Sequence, residues 1–180
     1  MQTPVMQTPV QYRTVPSPIG PLTLAGVGST LTHLRMPGQT HEPDRSVWRP
    51  AAAQAFTDVA DQLAAYFAGA LRESGVDLQL AGTPFQQRVW AALRTIPYGE
   101  TRSYGQIAAQ IGIPAAARAV GLANARNPIA IIVPCHRVIG SGGRLTGYAG
   151  GLDRKRDLLA LEAPSPDQED GRDRHGDHTR

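Results

Sequence analysis

The chain has 180 residues, of which 41% are hydrophobic, with five histidines, one cysteine and a formal net charge of +3. A chain of this length buries an adequate core without disulfides or metals, and one cysteine excludes an internal disulfide. The histidines are scattered or lie near the end, so no metal site is predicted, and we expect no cofactor. No secretory signal or apolar membrane span is recognisable, which predicts a cytoplasmic protein without membrane association.

Charge is distributed unevenly along the chain. Residues 1–82 carry five arginines against six acids (−1), residues 83–162 carry ten Lys and Arg against four acids (+6), and residues 163–180 carry three arginines against five acids (−2). A basic segment is attracted to a polyanion such as DNA, although a basic face by itself is more often an ordinary solvated surface. The charge pattern alone leaves both interpretations open.

Residues 1–81 are predicted to form a small N-terminal domain of a sheet and a helix. Short apolar runs broken by Gly and Pro precede one helical stretch over residues 51–69. Its mixture of elements indicates an α/β (α+β) fold class.

Residues 82–162 have a different character and are predicted to form a helical C-terminal domain. Thr83 followed by Pro84 is an N-cap with proline at the first helical position. Ser103 and Gln106 have the spacing of a capping box for a second helix. Two successive helices therefore begin in this segment.

A third helix follows closely, giving the outline of a helix-turn-helix. The second helix runs through Ile111 to a stop at Gly112, and Pro114 starts a helix that extends to about Ala125. This third helix is rich in alanine, and Arg118 is its first long side chain. Its thin surface suits either tight packing against another helix or close approach to a DNA groove.

The segment after the third helix contains the cysteine. An apolar run over residues 129–133 is typical of a buried strand or core segment, and Cys135 follows it. A glycine-rich loop over residues 140–151 leads to a final helix over residues 152–162. Residues 163–180 lack apolar periodicity and are predicted to be disordered.

A lone cysteine is often a small buried hydrophobic residue, but the neighbours of Cys135 also favour a reactive thiol. His136 and Arg137 follow it directly, and either can raise the thiolate fraction if it lies close in space. Glu162 is the candidate acid that would orient the imidazole.

Several segments, in this order and spacing, closely resemble the O6-alkylguanine-DNA alkyltransferases, also called methylated-DNA protein-cysteine methyltransferases. They are GTPFQQRVWAALRTIPYGETRSYGQIA, ARAVGLANARNP, PCHRVIG and LTGYAGGLDRKRDLLALE. The resemblance covers residues 82–162. It implies direct DNA repair by a metal-free protein that moves the alkyl group of O6-alkylguanine to a cysteine and is inactivated irreversibly.

The resemblance also implies roles for individual residues. Cys135 would accept the alkyl group, and His136 would act as the base through a water molecule oriented by Glu162. Tyr104 would donate to the leaving guanine. Arg118 would fill the gap left by the extruded base.

Further residues are assigned in the same way to DNA contact and to the base pocket. The DNA-binding set is Arg118, Ala119, Asn127 and Arg137, with Asn127 also holding the turn after the recognition helix. The pocket residues are Val138, Tyr148 and Ala149. The implied partner is double-stranded DNA containing O6-alkylguanine, bound by a monomer that could also bind cooperatively along DNA.

Three other functions fit the sequence less well. A non-catalytic damage sensor belongs to the same DNA-binding class, but such proteins replace the cysteine. A cysteine hydrolase would need an oxyanion site and turnover, whereas alkyl transfer leaves a thioether with no carbonyl for water to attack. A helix-turn-helix regulator would normally dimerise, and the sequence shows no added dimerisation element.

Overall fold

The structure is a computed structural model, and it describes residues 8–164. The predicted disordered tail, apart from residues 163 and 164, lies outside the described residues. The fold is mixed α and β, with an N-terminal sheet followed by a helical region, as the sequence predicts.

The N-terminal half contains a four-stranded sheet. Strands β1 (Gln11–Val15), β2 (Leu22–Val27) and β3 (Thr30–Arg35) are antiparallel neighbours, and the short β4 (Arg49–Pro50) pairs in parallel with β1. The spatial order is β3-β2-β1-β4. The tight β2–β3 connection passes through Gly28, which adopts φ 60°, a left-handed conformation that glycine tolerates without steric cost.

Helix α1 (Thr57–Phe67) is shorter than the predicted helix over residues 51–69. The preceding residues form turns instead, and Phe56 adopts a left-handed φ of 57° immediately before the helix. Arg13 of β1 donates to the carbonyl of Ala55 at 2.8 Å. This tertiary contact, which local sequence cannot reveal, holds the segment in a turn despite its helix-favouring alanines.

The C-terminal half confirms the predicted helices. They are α2 (Pro84–Leu93), α3 (Tyr104–Gln110), α4 (Ala117–Ala125) and α5 (Leu152–Glu162). A 3-10 turn at Pro114–Ala116 begins the third predicted helix and leads into α4. The helix-turn-helix is therefore formed by α3 and α4, which pack against each other and against α2.

Helix starts follow the capping signals of the sequence. Ser103 accepts from the backbone of Gln106 while the Gln106 side chain accepts from the backbone of Ser103, completing the predicted capping box. Thr83 and Gln86 form a second box at the start of α2. Gly112, at φ 78°, ends the second helix as predicted.

The apolar run over residues 129–133 is a buried core segment and not a regular strand. Only Ile129 bridges to the sheet, beside Leu34 of β3. Tight turns bend the rest: Ile131 has φ 70°, and the Ile132 N–H donates to the Ala130 carbonyl at 2.8 Å. The side chains are apolar enough for a strand, but the chain must turn here to bring Cys135 back toward α4.

A short parallel pair, β5 (Arg102–Ser103) and β6 (Val138–Ile139), links the start of α3 to the segment after the cysteine. One apolar core joins both halves of the chain, since residues of the sheet, α1, α2, α3, α4 and α5 belong to a single buried cluster. None of the helices within residues 8–164 is long and apolar enough to cross a membrane.

Candidate active site

Cys135 begins a 3-10 turn, Cys135–Arg137, at the end of the buried segment. Its N–H donates to the Val133 carbonyl at 2.8 Å, and the Arg137 N–H donates to the Pro134 carbonyl at 3.0 Å. The residue is only 4% exposed. The thiol is therefore fixed by its backbone in the interior of the protein.

Two buried asparagines, at the end of α4 and in the turn that follows it, hold this segment in place. Asn127 donates to the Val133 carbonyl at 2.8 Å and accepts from the Ile129 N–H at 3.0 Å, which fixes the turn after α4. Asn124, which the sequence reasoning missed, donates from α4 to the Cys135 carbonyl at 3.3 Å. Helix α4 is thus bonded directly to the cysteine backbone.

His136 is fully buried and pairs with Glu162 at the end of α5. Its Nε2 lies 2.7 Å from Glu162 Oε1. Because a carboxylate only accepts, Nε2 carries the proton, and Nδ1 is left with its lone pair. Nδ1 has no hydrogen-bond partner among the described protein groups. The structure brings together the two residues that the sequence proposed as a pair.

Arg137 is buried against the same carboxylate. Its Nε and Nη2 donate to Glu162 Oε2 and Oε1 at 2.8 and 3.0 Å, and Nη1 donates to the Ile96 carbonyl at 2.7 Å. The hydrogen-bond donors of the guanidinium therefore bond to partners inside the protein. Arg137 and Asn127, which the sequence assigned to DNA binding, both have buried side chains that bond to protein groups.

Burial sets the protonation states of the site. It raises the pKa of the Cys135 thiol and lowers the pKa of the His136 imidazole, so both groups are neutral near pH 7. Burial alone would raise the pKa of Glu162, but hydrogen bonds from His136 and Arg137 outweigh it and lower that pKa to about 2. The resting site therefore contains a thiol, a neutral imidazole and a carboxylate.

Lys155 of α5 is a functional candidate that the sequence reasoning missed. It is fully buried, its Nζ donates to the carbonyls of Val138 at 2.5 Å and Thr146 at 3.0 Å, and burial lowers its pKa to about 8. Its charge lowers the pKa of Cys135, against the effect of burial. The sequence feature that could have indicated its burial is helical spacing, because Lys155, Leu158 and Glu162 share the buried face of α5.

The remaining predicted pocket residues surround the glycine-rich loop. Tyr104, half-buried at the start of α3, donates to the carbonyls of Thr146 at 3.2 Å and Gly147 at 3.4 Å. Tyr148 lies next to Cys135, and burial and the neighbouring Cys135 raise its pKa. Val138 is buried at the start of β6, and Ala149 is half-buried.

Helix α4 has one packed face and one open face. Val120 and Ala123 are buried, and the Ala123 carbonyl accepts from the Trp90 indole at 2.9 Å. Arg118 and Ala119 are exposed, as a DNA-facing role requires. Leu122, 66% exposed one turn after Arg118, adds an apolar side chain to this face that the sequence reasoning did not single out.

Together these features define a helix-turn-helix protein with one buried thiol beside a carboxylate-paired histidine. Within the described residues, no three His, Cys, Asp or Glu side chains group in a way that could hold a metal ion. The helix-turn-helix and the thiol form one unit, because Asn124 and Asn127 connect them.

Comparison with known families gives two adjoining matches. Residues 84–164 match the 6-O-methylguanine DNA methyltransferase, DNA binding domain, and residues 10–80 match the 6-O-methylguanine DNA methyltransferase, ribonuclease-like domain. The chain belongs to the 6-O-methylguanine DNA methyltransferase family.

Individual relatives agree with this assignment. The methylated-DNA–protein-cysteine methyltransferase of Mycobacterium tuberculosis is 69% identical over 153 residues, covering 85% of this chain and 92% of the relative. That of Methanosarcina acetivorans is 55% identical over 152 residues, covering 84% and 97%. The crystal structure of M. tuberculosis OGT in complex with DNA has a TM-score of 0.83 at 70% identity, covering 84% of this chain and 92% of that one.

Proposed function

We propose that this chain repairs DNA directly by moving the alkyl group of O6-alkylguanine to Sγ of Cys135, once per chain. The observation that carries the proposal is the buried thiol beside the His136–Glu162 pair in a member of this family. Relatives that match about 85% of this chain bear the name of this activity, and M. tuberculosis OGT has been crystallised in complex with DNA.

The proposed reaction forms one bond and breaks one. The Cys135 thiolate attacks the alkyl carbon in line with its bond to O6, and that bonding electron pair leaves with the guanine. A soft, polarizable sulfur suits displacement at an sp3 carbon. The Tyr104 hydroxyl, which now donates to loop carbonyls, turns to the guanine and supplies a proton or hydrogen bond that offsets the leaving charge.

The thiol has to be activated, because burial keeps it protonated at rest. His136 takes the thiol proton at Nδ1 through a water molecule, and Glu162 holds the ring by its Nε2–H and stabilises the imidazolium that results. The Lys155 ammonium favours the thiolate. A thiol that is neutral until a base removes its proton is also protected from unwanted reactions.

DNA is proposed to bind along the open face of α4. Base extrusion costs a few kcal/mol of lost stacking and pairing, and the exposed Arg118 recovers part of this by filling the gap. Ala119 keeps the helix thin so that it can approach the groove. Asn127 contributes from inside, by fixing the turn between α4 and the cysteine segment.

The extruded base is proposed to enter beside the glycine-rich loop. Val138 and Ala149 would contact it mainly through backbone groups, and Tyr148 would form a pocket wall next to the thiol. The Val138 carbonyl accepts from Lys155, which fixes this edge of the pocket.

The biological setting is proposed on the same grounds. The partner is double-stranded DNA containing O6-alkylguanine, bound by a monomer that can assemble cooperatively along DNA, and no cofactor takes part. A single free thiol suits the reducing cytoplasm. The two family matches support a division into domains at residues 1–81 and 82–162.

Stoichiometry tests the proposal. A thioether is not reopened by any group proposed to act here, so excess alkylated duplex should be repaired to one alkyl group per chain. Mass spectrometry should place that group on the peptide containing Cys135. Cys135→Ser, which changes one atom, should abolish transfer and retain DNA binding.

Two results would contradict the proposal. Continued turnover by the intact chain would favour a cysteine hydrolase. An alkyl group found on another residue would show that Cys135 is not the acceptor. Tight binding to alkylated DNA without any transfer would indicate a damage sensor.

A further inference from the structure

Glu162 receives hydrogen bonds from both halves of the chain. Its Oε1 accepts from His136 Nε2 at 2.7 Å and from Arg137 Nη2 at 3.0 Å, both within the C-terminal half. The third donor to Oε1 is the hydroxyl of Tyr66, at 2.6 Å, which comes from α1, 96 residues earlier in the chain. The resemblance that identified the other residues covers only residues 82–162 and gave Tyr66 no role.

Tyr66 is held firmly in the position from which it donates. The residue is 7% exposed, and its ring packs edge-on against Phe67 and Tyr98, with centroid separations of 5.2 and 6.2 Å. Burial and the neighbouring Glu162 charge raise the pKa of Tyr66, so its hydroxyl stays a neutral donor across the accessible pH range. The hydrogen bond is therefore a fixed feature of the site.

This hydroxyl shares the oxygen atom on which His136 depends. Each donor to Oε1 takes part of its negative charge, which leaves less charge to stabilise an imidazolium at His136. The other charged or titratable groups around the pair are Arg137, Lys155, Cys135 and Tyr98. Of these, Arg137 and Lys155 act on His136 in the same direction as burial, lowering its pKa.

We propose that Tyr66 is a positioning residue for the His136–Glu162 pair, through which the N-terminal half orients Glu162 and limits the basicity of His136. The inference rests on the proposed function, since it matters for repair only if His136 is the base. It assigns the N-terminal half a part in the chemistry in addition to its packing.

Tyr66→Phe tests this with little change of shape. Loss of the hydroxyl concentrates charge on Oε1, so the His136 pKa should rise, and the acid limb of the transfer rate should move to higher pH by about half a unit to one unit. At pH values below the His136 pKa, the rate of Tyr66→Phe should be about three- to tenfold lower than that of the unchanged chain, since a pKa higher by half a unit to one unit lowers the fraction of neutral His136 by that factor. Above the limb, the rate should change little.

Tyr98→Phe is the matched control. It removes a tyrosine hydroxyl from the same cluster, but that hydroxyl donates to the backbone carbonyl of Leu161 at 3.2 Å and not to the carboxylate. We expect Tyr98→Phe to leave the acid limb in place. Thermal unfolding of both variants shows whether each one folds.

A readout without DNA separates this inference from the proposed reaction. The ring nitrogen shifts of His136, followed by NMR against pH, should show the same upward movement in Tyr66→Phe and none in Tyr98→Phe. In the unchanged chain, labelled with 13C at the tyrosine Cζ atoms, the Tyr66 signal should move at the His136 midpoint. That second measurement applies even if Tyr66→Phe does not fold.

The outcomes are distinct. An unmoved His136 titration in folded Tyr66→Phe, equal shifts in both variants, or a Tyr66 signal that ignores His136 would overturn the positioning role. If the titration moves as expected while the unchanged chain transfers no alkyl group, the proposed function fails and the coupling of Tyr66 to His136 remains.

Discussion

At the scale of single residues, the Glu162 carboxylate accepts hydrogen bonds from more groups than any other side chain of the site. The carboxylate is buried, and Tyr66, His136, Arg137 and the Gly99 N–H all donate to it. A buried charge stays ionised only when it is paired and hydrogen-bonded in this way. Removing it would leave the Arg137 charge buried without its partner.

The pH dependence of stability follows from this arrangement. Burial lowers the His136 pKa below its ordinary 6.5, and the Glu162 pKa is lowered from 4.5 to about 2. In both cases the unfolded chain takes up a proton before the folded one does as the pH falls. Stability is therefore complete at neutral pH, begins to decline below about pH 6.5, and declines further between pH 4.5 and 2.

Urea denaturation at a series of pH values from 7 to 3 measures this effect. Glu162→Gln should lower the free energy of unfolding at pH 7 by about 3 kcal/mol and flatten the lower part of the curve. His33, whose pKa is lowered to about 4 by burial and by the charges of Arg35 and Arg45, contributes with the same sign. His33→Asn separates its share, and a flat profile in the unchanged chain would contradict the expectation.

At the scale of elements, α4 combines two functions on two faces. Its buried face, with Val120 and Ala123, packs on α2 and accepts a hydrogen bond from the Trp90 indole, and Asn124 bonds to the cysteine backbone. Its open face presents Arg118 and Leu122. Because the helix is bonded to the Cys135 segment, we expect a DNA base displaced at its open face to lie at a fixed distance from the thiol.

Arg118→Ala should slow transfer from duplex DNA by about tenfold or more and slow transfer from single strands much less. The reason is that a stack with a gap to fill exists only in the duplex. Single-turnover rates on both substrates measure the difference.

Arg126→Ala is the control, since Arg126 is an exposed arginine at the end of the same helix. It should reduce both rates similarly, because it can only attract phosphates and its effect should weaken with added salt. If Arg118→Ala slows transfer equally on both substrates, Arg118 acts only by attracting phosphates, as is expected of Arg126.

At the scale of the whole molecule, the site is completed by distant parts of the chain. α1 supplies Tyr66, α3 supplies Tyr104, α5 supplies Lys155 and Glu162, and one apolar core holds these elements together. The two halves are therefore expected to be interdependent, although each matches its own family domain.

Truncation tests which end of the chain the site requires. A chain ending at residue 164 retains α5 and every donor to Glu162 named above, so its transfer rate should stay within about twofold of the full chain. A chain ending at residue 161 lacks Glu162 and should lose about 100-fold or more, because the base is no longer oriented.

Full-length Glu162→Ala should match the shorter truncation, which separates loss of the carboxylate from loss of length. Circular dichroism of each chain establishes that it folds. A large loss from ending the chain at residue 164 would show that residues 165–180 contribute to repair.

Local sequence determined the elements of the C-terminal half. The capping box at Ser103 and Gln106, the stop at Gly112 and the apolar face of α5 act through contacts within a few residues, so they can be read directly from the chain. The motif order around Cys135 was specific enough to identify the family, and it gathered His136 and Glu162 into one proposed site.

Only the tertiary structure decided which partners these residues have. Arg13 of β1 bonds to the segment before α1 and holds it in a turn, and tight turns replace the possible strand at residues 129–133. The Arg137 side chain bonds to Glu162 inside the protein. The roles of Lys155 and Tyr66 likewise come from contacts across the fold, with groups 17 and 96 residues away. Sequence periodicity reports which face of an element is buried, but the charge balance at Glu162 exists only once α1, α5 and the Cys135 turn have come together.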